Sequence, residues 1–216
     1  MHNLKGTFRM LGNASVRNNI INPENTSATG GGVQNYLGTF VMLGGEITGN
    51  KSNCGGGVSN GAMSDTYTGY TGYSSATFTM TGGKISGNEA AASGGGLYNS
   101  TGDPEAKVTV NVSGNAVISD NTAKNGGGIG NSGKGTTVTV SENVQIKGNV
   151  AASATDLNAG DGGGIYNYGN SINHPILNLN GVTISGNSAR RGGGIYVSYC
   201  ELTATDVTIT DNTAEF

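Results

Sequence analysis

The chain has 216 residues, with 40 glycines, three prolines, 11 lysines and arginines, and a formal net charge of −3 at pH 7. The basic residues are scattered, and Arg190-Arg191 is their one adjacent pair, so the sequence has no basic stripe that could follow a phosphate backbone. Its glycines show no Gly-X-Y period, and no apolar run approaches the roughly 20 residues of a membrane-spanning helix. Composition and charge therefore exclude a nucleic-acid-binding protein, a collagen and a helical membrane span.

A glycine triad followed by an aliphatic residue occurs six times along the chain. The triads begin at Gly30, Gly55, Gly94, Gly126, Gly162 and Gly192. Successive starts are 25, 39, 32, 36 and 30 residues apart, a spacing typical of a coiled repeat architecture with loops of variable length. Because the repeats extend along the whole chain, we expect residues 1–216 to form one domain in which each unit contacts only its neighbours.

Two further motifs alternate with the triads in constant order. The first is an alternating apolar pair such as Phe40-Val41-Met42, and this alternation predicts a strand. The pairs begin at Phe8, Phe40, Phe78, Val110, Val138, Leu177 and Leu202. The second motif, as in Ile184-Ser185-Gly186-Asn187, predicts a strand that ends in a turn, because Gly and Asn adopt positive φ at low cost.

Each repeat is thus predicted to contain three short strands, each with one buried face. Such strands are stable only when each pairs with its equivalents in the coils above and below. The sequence therefore predicts an all-β fold, a right-handed parallel β-helix, which is a single-stranded solenoid with three parallel sheets and about six to seven coils. In this fold Ile85, Ile118 and Ile184 should form one buried file along the axis.

Asparagine recurs at two corner positions of the predicted coil, and stacked Asn side chains can hydrogen-bond along a solenoid axis. The first predicted ladder consists of Asn50, Asn88, Asn121, Asn149 and Asn187. The second consists of Asn35, Asn60, Asn99, Asn131 and Asn167. Val197 stands where the second ladder would continue, so we expect this ladder to end there.

The pairing of Gly-Gly-Gly-Ile with Ile-x-Gly-Asn resembles the repeats of bacterial polymorphic outer-membrane-protein and autotransporter-like surface proteins, within the pectin-lyase-like β-helix superfamily. Those repeats carry Gly-Gly-Ala-Ile and Phe-x-x-Asn motifs, whereas here a third Gly replaces Ala and Ile184 replaces Phe. The resemblance covers nearly the whole chain. It implies a secreted or cell-surface bacterial protein with a role in adhesion or attachment.

The sequence has neither a signal-peptide pattern at its start nor an amphipathic capping helix at either end. We therefore expect the export signal and the anchor to lie outside these residues, and the chain to be a segment of a longer solenoid. Uncapped coils expose unpaired strand edges, so end-to-end self-association is a further expectation.

The variable segments between the repeats are where a solenoid places its ligand contacts. The longest insertion, 61–76, contains Tyr67, Tyr70 and Tyr73, and three further tyrosines are predicted to point outward on the same side. These are Tyr98, Tyr166 and Tyr196. Tyrosines on a rigid wall can stack on sugars or anchor a protein partner. We predict these six residues as contacts for a glycan or a host or cell-surface protein; the alternative is that they only cover the sheet beneath them.

Three other functions stay open. The solenoid could be a structural spacer or stalk. Alternatively, it could bind ice through an outward threonine array, although Thr is also favoured on any solvent-facing strand. The array consists of Thr7, Thr39, Thr77, Thr109 and Thr137.

The third alternative is a polysaccharide lyase or hydrolase, which would need two or three carboxylates on neighbouring coils or a histidine-based site. Asp120 and Asp211 share a turn position, but they lie three coils apart. The segment 156–162, which contains Asp156 and Asp161, faintly suggests a calcium loop, but it lacks the third acid and the closing Glu. We predict no catalytic residue, no metal ligand and no cofactor, and hence a protein that is not an enzyme.

The two cysteines, Cys54 and Cys200, should be about four coils apart. At ~4.8 Å per stacked strand this separation is ~19 Å, far beyond the ~7 Å between Cα atoms that a disulfide allows. We therefore predict two free thiols.

Overall fold

The structure is a computed structural model that describes residues 1–62, 75–103, 105–152 and 160–216. In these ranges the chain forms 27 strands, numbered here in chain order. All strand pairs are parallel and join equivalent strands of successive coils, so the chain is a right-handed parallel β-helix, as the sequence predicts. The three larger sheets have seven strands each, one from each of seven coils. No helix among the described residues is long and apolar enough to cross a membrane.

Sheets 1 and 2 contain the strands after each glycine triad and the strands with the alternating apolar pair. Sheet 1 consists of β1 (His2–Leu4), β4 (Val33–Tyr36), β8 (Val58–Ala62), β12 (Leu97–Thr101), β16 (Ile129–Ser132), β20 (Ile165–Tyr168) and β24 (Ile195–Ser198). Sheet 2 consists of β2 (Thr7–Met10), β5 (Thr39–Met42), β9 (Ser75–Met80), β13 (Lys107–Val112), β17 (Thr136–Ser141), β21 (Ile176–Asn180) and β25 (Glu201–Thr205). We number the coils one to seven by their strand in sheet 1.

Sheets 3 and 4 lie on either side of the asparagine turn. Sheet 3 consists of β3 (Ser15–Arg17), β6 (Glu46–Thr48), β10 (Lys84–Ser86), β14 (Val117–Ser119), β18 (Gln145–Lys147), β22 (Thr183–Ser185) and β26 (Thr208–Thr210). Sheet 4 consists of β7 (Lys51–Cys54), β11 (Glu89–Ser93), β15 (Thr122–Asn125), β19 (Val150–Ala151), β23 (Ser188–Ala189) and β27 (Thr213–Ala214).

The fourth sheet corrects the prediction of three sheets. Its strands are short and bury single small residues, such as Ala90, Ala123 and Ala151, so no apolar alternation marks them in the sequence. These segments become strands because the asparagine turn on one side and the glycine triad on the other both stack on the neighbouring coils. The backbone between two stacked corners must then pair as well, since its N–H and C=O groups would otherwise be unsatisfied.

The core consists of like side chains stacked in files along the axis. In sheet 3 the register places Ile47, Ile85, Ile118, Ile146, Ile184 and Ile209 in one file. Ile85, Ile118 and Ile184 are fully buried, which confirms the predicted file. In sheet 2 the rings of Phe40 and Phe78 stack at a centroid distance of 4.8 Å.

The first asparagine ladder is confirmed, and it is longer than predicted because Asn19 and Asn212 extend its two ends. Each side-chain Nδ2 donates to the Oδ1 of the next coil at 2.8–3.0 Å. Each accepting Oδ1 also receives the backbone N–H of the preceding coil's asparagine. The ladder therefore ties every coil to the next at this corner.

The second ladder is also confirmed, with Asn3 added at its start and hydrogen bonds of 2.7–2.9 Å between successive side chains. It ends where the sequence predicts, because Val197 is the register partner of Asn167. The Asn167 Nδ2 is buried and has no hydrogen-bond partner among the described residues. This ladder therefore ends on an unsatisfied buried donor.

We expect Val197→Asn to raise the free energy of unfolding by about 1 kcal/mol, since it supplies the acceptor that Asn167 Nδ2 lacks. Val197 is only half-buried, so losing its apolar side chain costs less than in the inner coils. Chemical denaturation measures the difference. The control, Val197→Ala, leaves the donor unpaired and should be no more stable than the parent. Equal stability of the two variants would contradict the prediction.

Cys54 and Cys200 are both free thiols, which confirms that prediction. Burial raises the pKa of each thiol above its ordinary value. The Cys200 Sγ donates to the backbone carbonyls of Asn167 and Ser198. A raised pKa disfavours the thiolate, so both cysteines act as side chains that fill space.

Candidate ligand-binding face

The outward side chains of sheet 1 form the candidate ligand-binding face. Strand alternation sends two residues of each strand outward, so the face has two rows that follow the axis. The first row is His2, Gln34, Ser59, Tyr98, Gly130, Tyr166 and Tyr196. The second row is Leu4, Tyr36, Gly61, Ser100, Ser132, Tyr168 and Ser198. Three of the six tyrosines predicted as ligand contacts thus lie in one row. These are Tyr98, Tyr166 and Tyr196, and successive members are 68 and 30 positions apart in the chain.

Tyr166, Tyr168 and Tyr196 form a contiguous tyrosine cluster in coils six and seven. The Tyr166 ring stacks on Tyr168 at a centroid distance of 5.5 Å and on Tyr196 at 5.6 Å, with interplanar angles of 5° and 19°. Sequence reasoning missed Tyr168. Its position two residues after Tyr166 on the same strand places both side chains on one face, and that spacing was the available signal.

An ion pair supports the edge of the tyrosine cluster. Arg191 Nε and Nη2 donate to the two carboxylate oxygens of Asp161 at 2.8 and 2.7 Å, and Asp161 is only 6% exposed. The guanidinium of Arg191 also lies over the Tyr196 ring, 5.1 Å from its centroid. Bidentate pairing and ring contact together hold Arg191 in one orientation.

The same surroundings affect the hydroxyl of Tyr166. Burial, followed by the negative charge of Asp161, raises its pKa above the ordinary value. Tyr166 therefore stays a neutral hydroxyl group at physiological pH. Asp161 belongs to the segment that suggests a calcium loop, but both of its carboxylate oxygens accept hydrogen bonds from Arg191.

Tyr98 lies apart from the cluster and leans toward coil five. Gly130, its register partner there, has no side chain, and a Cβ added to it would lie 3.2 Å from Tyr98 Cδ2. The Tyr98 hydroxyl shares a hydrogen bond of 3.2 Å with the Oγ of Ser132, which also belongs to coil five. The ring thus covers the gap above Gly130 and leans away from coil three.

The loop tyrosines predicted as ligand contacts lie outside the described residues. They are Tyr67, Tyr70 and Tyr73, which lie between β8 and β9 in the chain. Asp156 also lies outside the described residues. The role of the three loop tyrosines stays a prediction.

The threonines considered for ice binding are register partners on sheet 2. The file runs without interruption from Thr7 to Thr137 through five coils. Ile176 and Glu201 occupy the same position in the last two coils. The continuous part of the array therefore covers coils one to five.

The acids considered for catalysis are not brought together. Asp120 and Asp211 both have positive φ, 57° and 53°, and occupy the turn between sheets 3 and 4, where the first coil has Asn18 and the other coils have glycine. They are turn residues in coils that do not touch. In the described ranges, no group of three or more His, Cys, Asp or Glu side chains is placed to hold a metal ion.

Comparison with known proteins gives one finding, which concerns a single repeat. Residues 181–198 match the model of the Chlamydia polymorphic membrane protein (Chlamydia_PMP) repeat. This segment contains the Ile184–Asn187 motif and the triad that begins at Gly192, so the match covers the two motifs on which the resemblance was based. No curated protein and no solved structure matches the chain. The resemblance to polymorphic-membrane-protein repeats is confirmed for this segment, and the wider pectin-lyase-like superfamily stays a prediction.

Proposed function

We propose that this chain is a non-catalytic module of a secreted or cell-surface bacterial protein that binds a glycan or protein ligand and so serves in adhesion. The tyrosine cluster of Tyr166, Tyr168 and Tyr196 is the observation that carries the proposal. The match to a repeat of polymorphic membrane proteins supports the surface location.

The cluster has the properties of a binding anchor. Tyrosines combine a large apolar area with a polar hydroxyl and dominate many recognition surfaces. Tyr166 and Tyr168 lie on β20, which pairs with a strand on each side, and Tyr196 lies on β24 in the last coil. The ion pair of Arg191 with Asp161 supports one edge of the cluster. Tyr168 is still 41% exposed, so a ligand can reach it. A cluster already ordered in this way loses little conformational entropy on binding.

The surroundings of the described acids support a non-catalytic role. Asp161 is bound by Arg191, and Glu89 forms an exposed ion pair with Lys51 at 2.6 Å. Glycoside hydrolysis needs two carboxyl groups that face each other across about 5–10 Å. The acids named here are instead paired with cations or placed in turns of separate coils.

The double variant Tyr166→Ser/Tyr196→Ser tests the proposal. We expect it to weaken ligand binding at least about tenfold, because anchoring aromatic residues contribute 2 kcal/mol or more. Glycan arrays and screens against host-cell surface proteins measure the binding of parent and variant. Tyr199→Ser is the matched control, since Tyr199 is 65% exposed and lies in the turn after β24.

The triple variant Tyr67→Ser/Tyr70→Ser/Tyr73→Ser tests the loop separately on the same arrays. Equal binding by the parent and both multiple variants would contradict the proposed contacts. A parent that binds nothing in any screen would favour the structural spacer.

A further inference from the structure

Coil three interrupts the candidate ligand-binding face with a groove. Its two outward residues, Ser59 and Gly61, are small, whereas the neighbouring coils have larger side chains at the same register positions. Tyr36 lies on one side, and Tyr98, which leans away from coil three, lies on the other. These two coils are about 9.6 Å apart, twice the ~4.8 Å spacing of paired strands.

The groove has a volume of about 180 Å³. Ser27 and Thr29, from the segment before the first glycine triad, also line it, as do Thr101 and Gly102 after β12. Its walls therefore come from loops as well as strands. This is space for one ring-sized ligand unit and not for an extended polymer.

The residues that line the groove are mostly of polar types, and none of them carries a charge. The lining consists of Ser, Thr, Gln, Asn, Tyr, Gly and Ala residues, without Lys, Arg, His, Asp or Glu. A charged ligand group would lose its water here without gaining an opposite charge, which is unfavourable. The lining thus favours a neutral ligand rich in hydrogen-bonding groups.

Two side chains in the groove are ready to bind such a ligand. Ser59 is only 7% exposed, and its hydroxyl makes no hydrogen bond within the described part of the chain. Gln34 Nε2 donates to Thr29 Oγ1 at 2.9 Å, which orients the amide, and its Oε1 has no donor among the described residues. The Ser59 oxygen is still reached by solvent in the groove, so a ligand hydroxyl can take the place of water there.

We infer that this groove binds one neutral pyranose unit of a glycan. A pyranose matches the lining because its hydroxyls both donate and accept hydrogen bonds, while its C–H faces pack against aromatic rings such as Tyr98. This inference rests on the proposed ligand-binding role and names its ligand class. It also assigns the contact to a place on the face that is distinct from the tyrosine cluster.

Ser59→Tyr tests the inference by filling the groove. Sheet 1 accepts tyrosine at this register position in coils four, six and seven, so the change is compatible with the fold. Gln34→Ala is a second variant that removes the oriented amide and leaves the floor of the groove intact. Thr203→Tyr is the control, because it adds the same ring at an exposed, outward position of sheet 2, away from the candidate ligand-binding face.

The probes are neutral oligosaccharides that end in glucose, galactose, mannose or N-acetylglucosamine, with sialylated and sulfated glycans as charged comparators. Binding is measured on an array, and the best ligand is then titrated by calorimetry. Circular dichroism shows whether each variant is folded. We expect the parent to bind a neutral glycan, and Ser59→Tyr and Gln34→Ala to bind it at least about tenfold more weakly, with Thr203→Tyr unchanged.

The outcomes separate this inference from the proposed function. Neutral-glycan binding that survives in Ser59→Tyr and Gln34→Ala but is lost in Tyr166→Ser/Tyr196→Ser would overturn the groove and leave the proposed function in place. Binding only to charged glycans or to proteins would do the same. A parent that binds no glycan and no protein would overturn both.

Discussion

Replacing Asn121 by Ala is expected to lower the free energy of unfolding by about 3–5 kcal/mol, since each buried polar group left unsatisfied costs roughly 1–3 kcal/mol. Asn121 is fully buried. Its Oδ1 accepts from both the backbone N–H and the Nδ2 of Asn88, and its Nδ2 donates to Ile85 O and Asn149 Oδ1. Truncation removes the hydrogen bonds that these four partner groups make to the Asn121 side chain, in a place that water does not reach.

Asn19→Ala is the matched control for this prediction. Asn19 occupies the same corner in the first coil, but it is exposed, so water can replace its bonds to Arg17 O and Asn50 Oδ1. We expect a loss of about 1 kcal/mol or less. Urea denaturation followed by circular dichroism measures both variants. Equal losses would mean that the interior of the ladder contributes no more than its end.

Gly127→Ala is expected to destabilise the solenoid by at least about 3 kcal/mol, the upper range for overpacking a core, because the obstruction is backbone that cannot rotate away. A Cβ on Gly127 would lie 2.5 Å from the carbonyl oxygen of Val150 and 2.6 Å from its carbonyl carbon. The same obstruction recurs at the middle glycine of each triad, for example 2.4 Å from Glu89 O at Gly56. Coils can approach closely at this corner only when no side chain stands between them.

Gly61→Ala is the control for Gly127→Ala, because it makes the same change at an outward position of sheet 1. Among the described residues its added Cβ would meet only Ser100 O, at 3.1 Å, and Gly61 does not have positive φ. We expect a change within about 1 kcal/mol. Thermal unfolding compares the two variants. A Gly127→Ala chain as stable as Gly61→Ala would contradict the close packing of coils at the triads.

Much of the fold could be predicted because a β-helix places like residues over like. Glycine triads, apolar alternation and recurrent Ile and Asn each indicate one position in the coil. The files of Ile85 and Ile118, and the ladders that contain Asn121 and Asn131, follow from repetition alone. Even the break at Val197 could be predicted, since one missing amide interrupts an otherwise regular pattern.

The candidate site was predictable only in part. The alternation of β12, β20 and β24 places Tyr98, Tyr166 and Tyr196 outward, and this can be deduced from sequence spacing. The stacking of Tyr168 on Tyr166 and the ion pair of Arg191 with Asp161 could not be deduced, because they depend on which side-chain orientations the neighbouring coil allows.

The sequence by itself determined most of the coil: three of its four strands, its two asparagine corners and the inward residues of those strands, because short-range periodicity decides these features. Only the tertiary structure decided the fourth sheet, the lean of Tyr98 over Gly130 and the groove at Ser59. The physical reason is that neighbours across coils are 25 to 39 positions apart in the chain, at distances that vary with each loop. Contacts between different side chains of adjacent coils arise only when the backbone hydrogen bonds set the register between those coils.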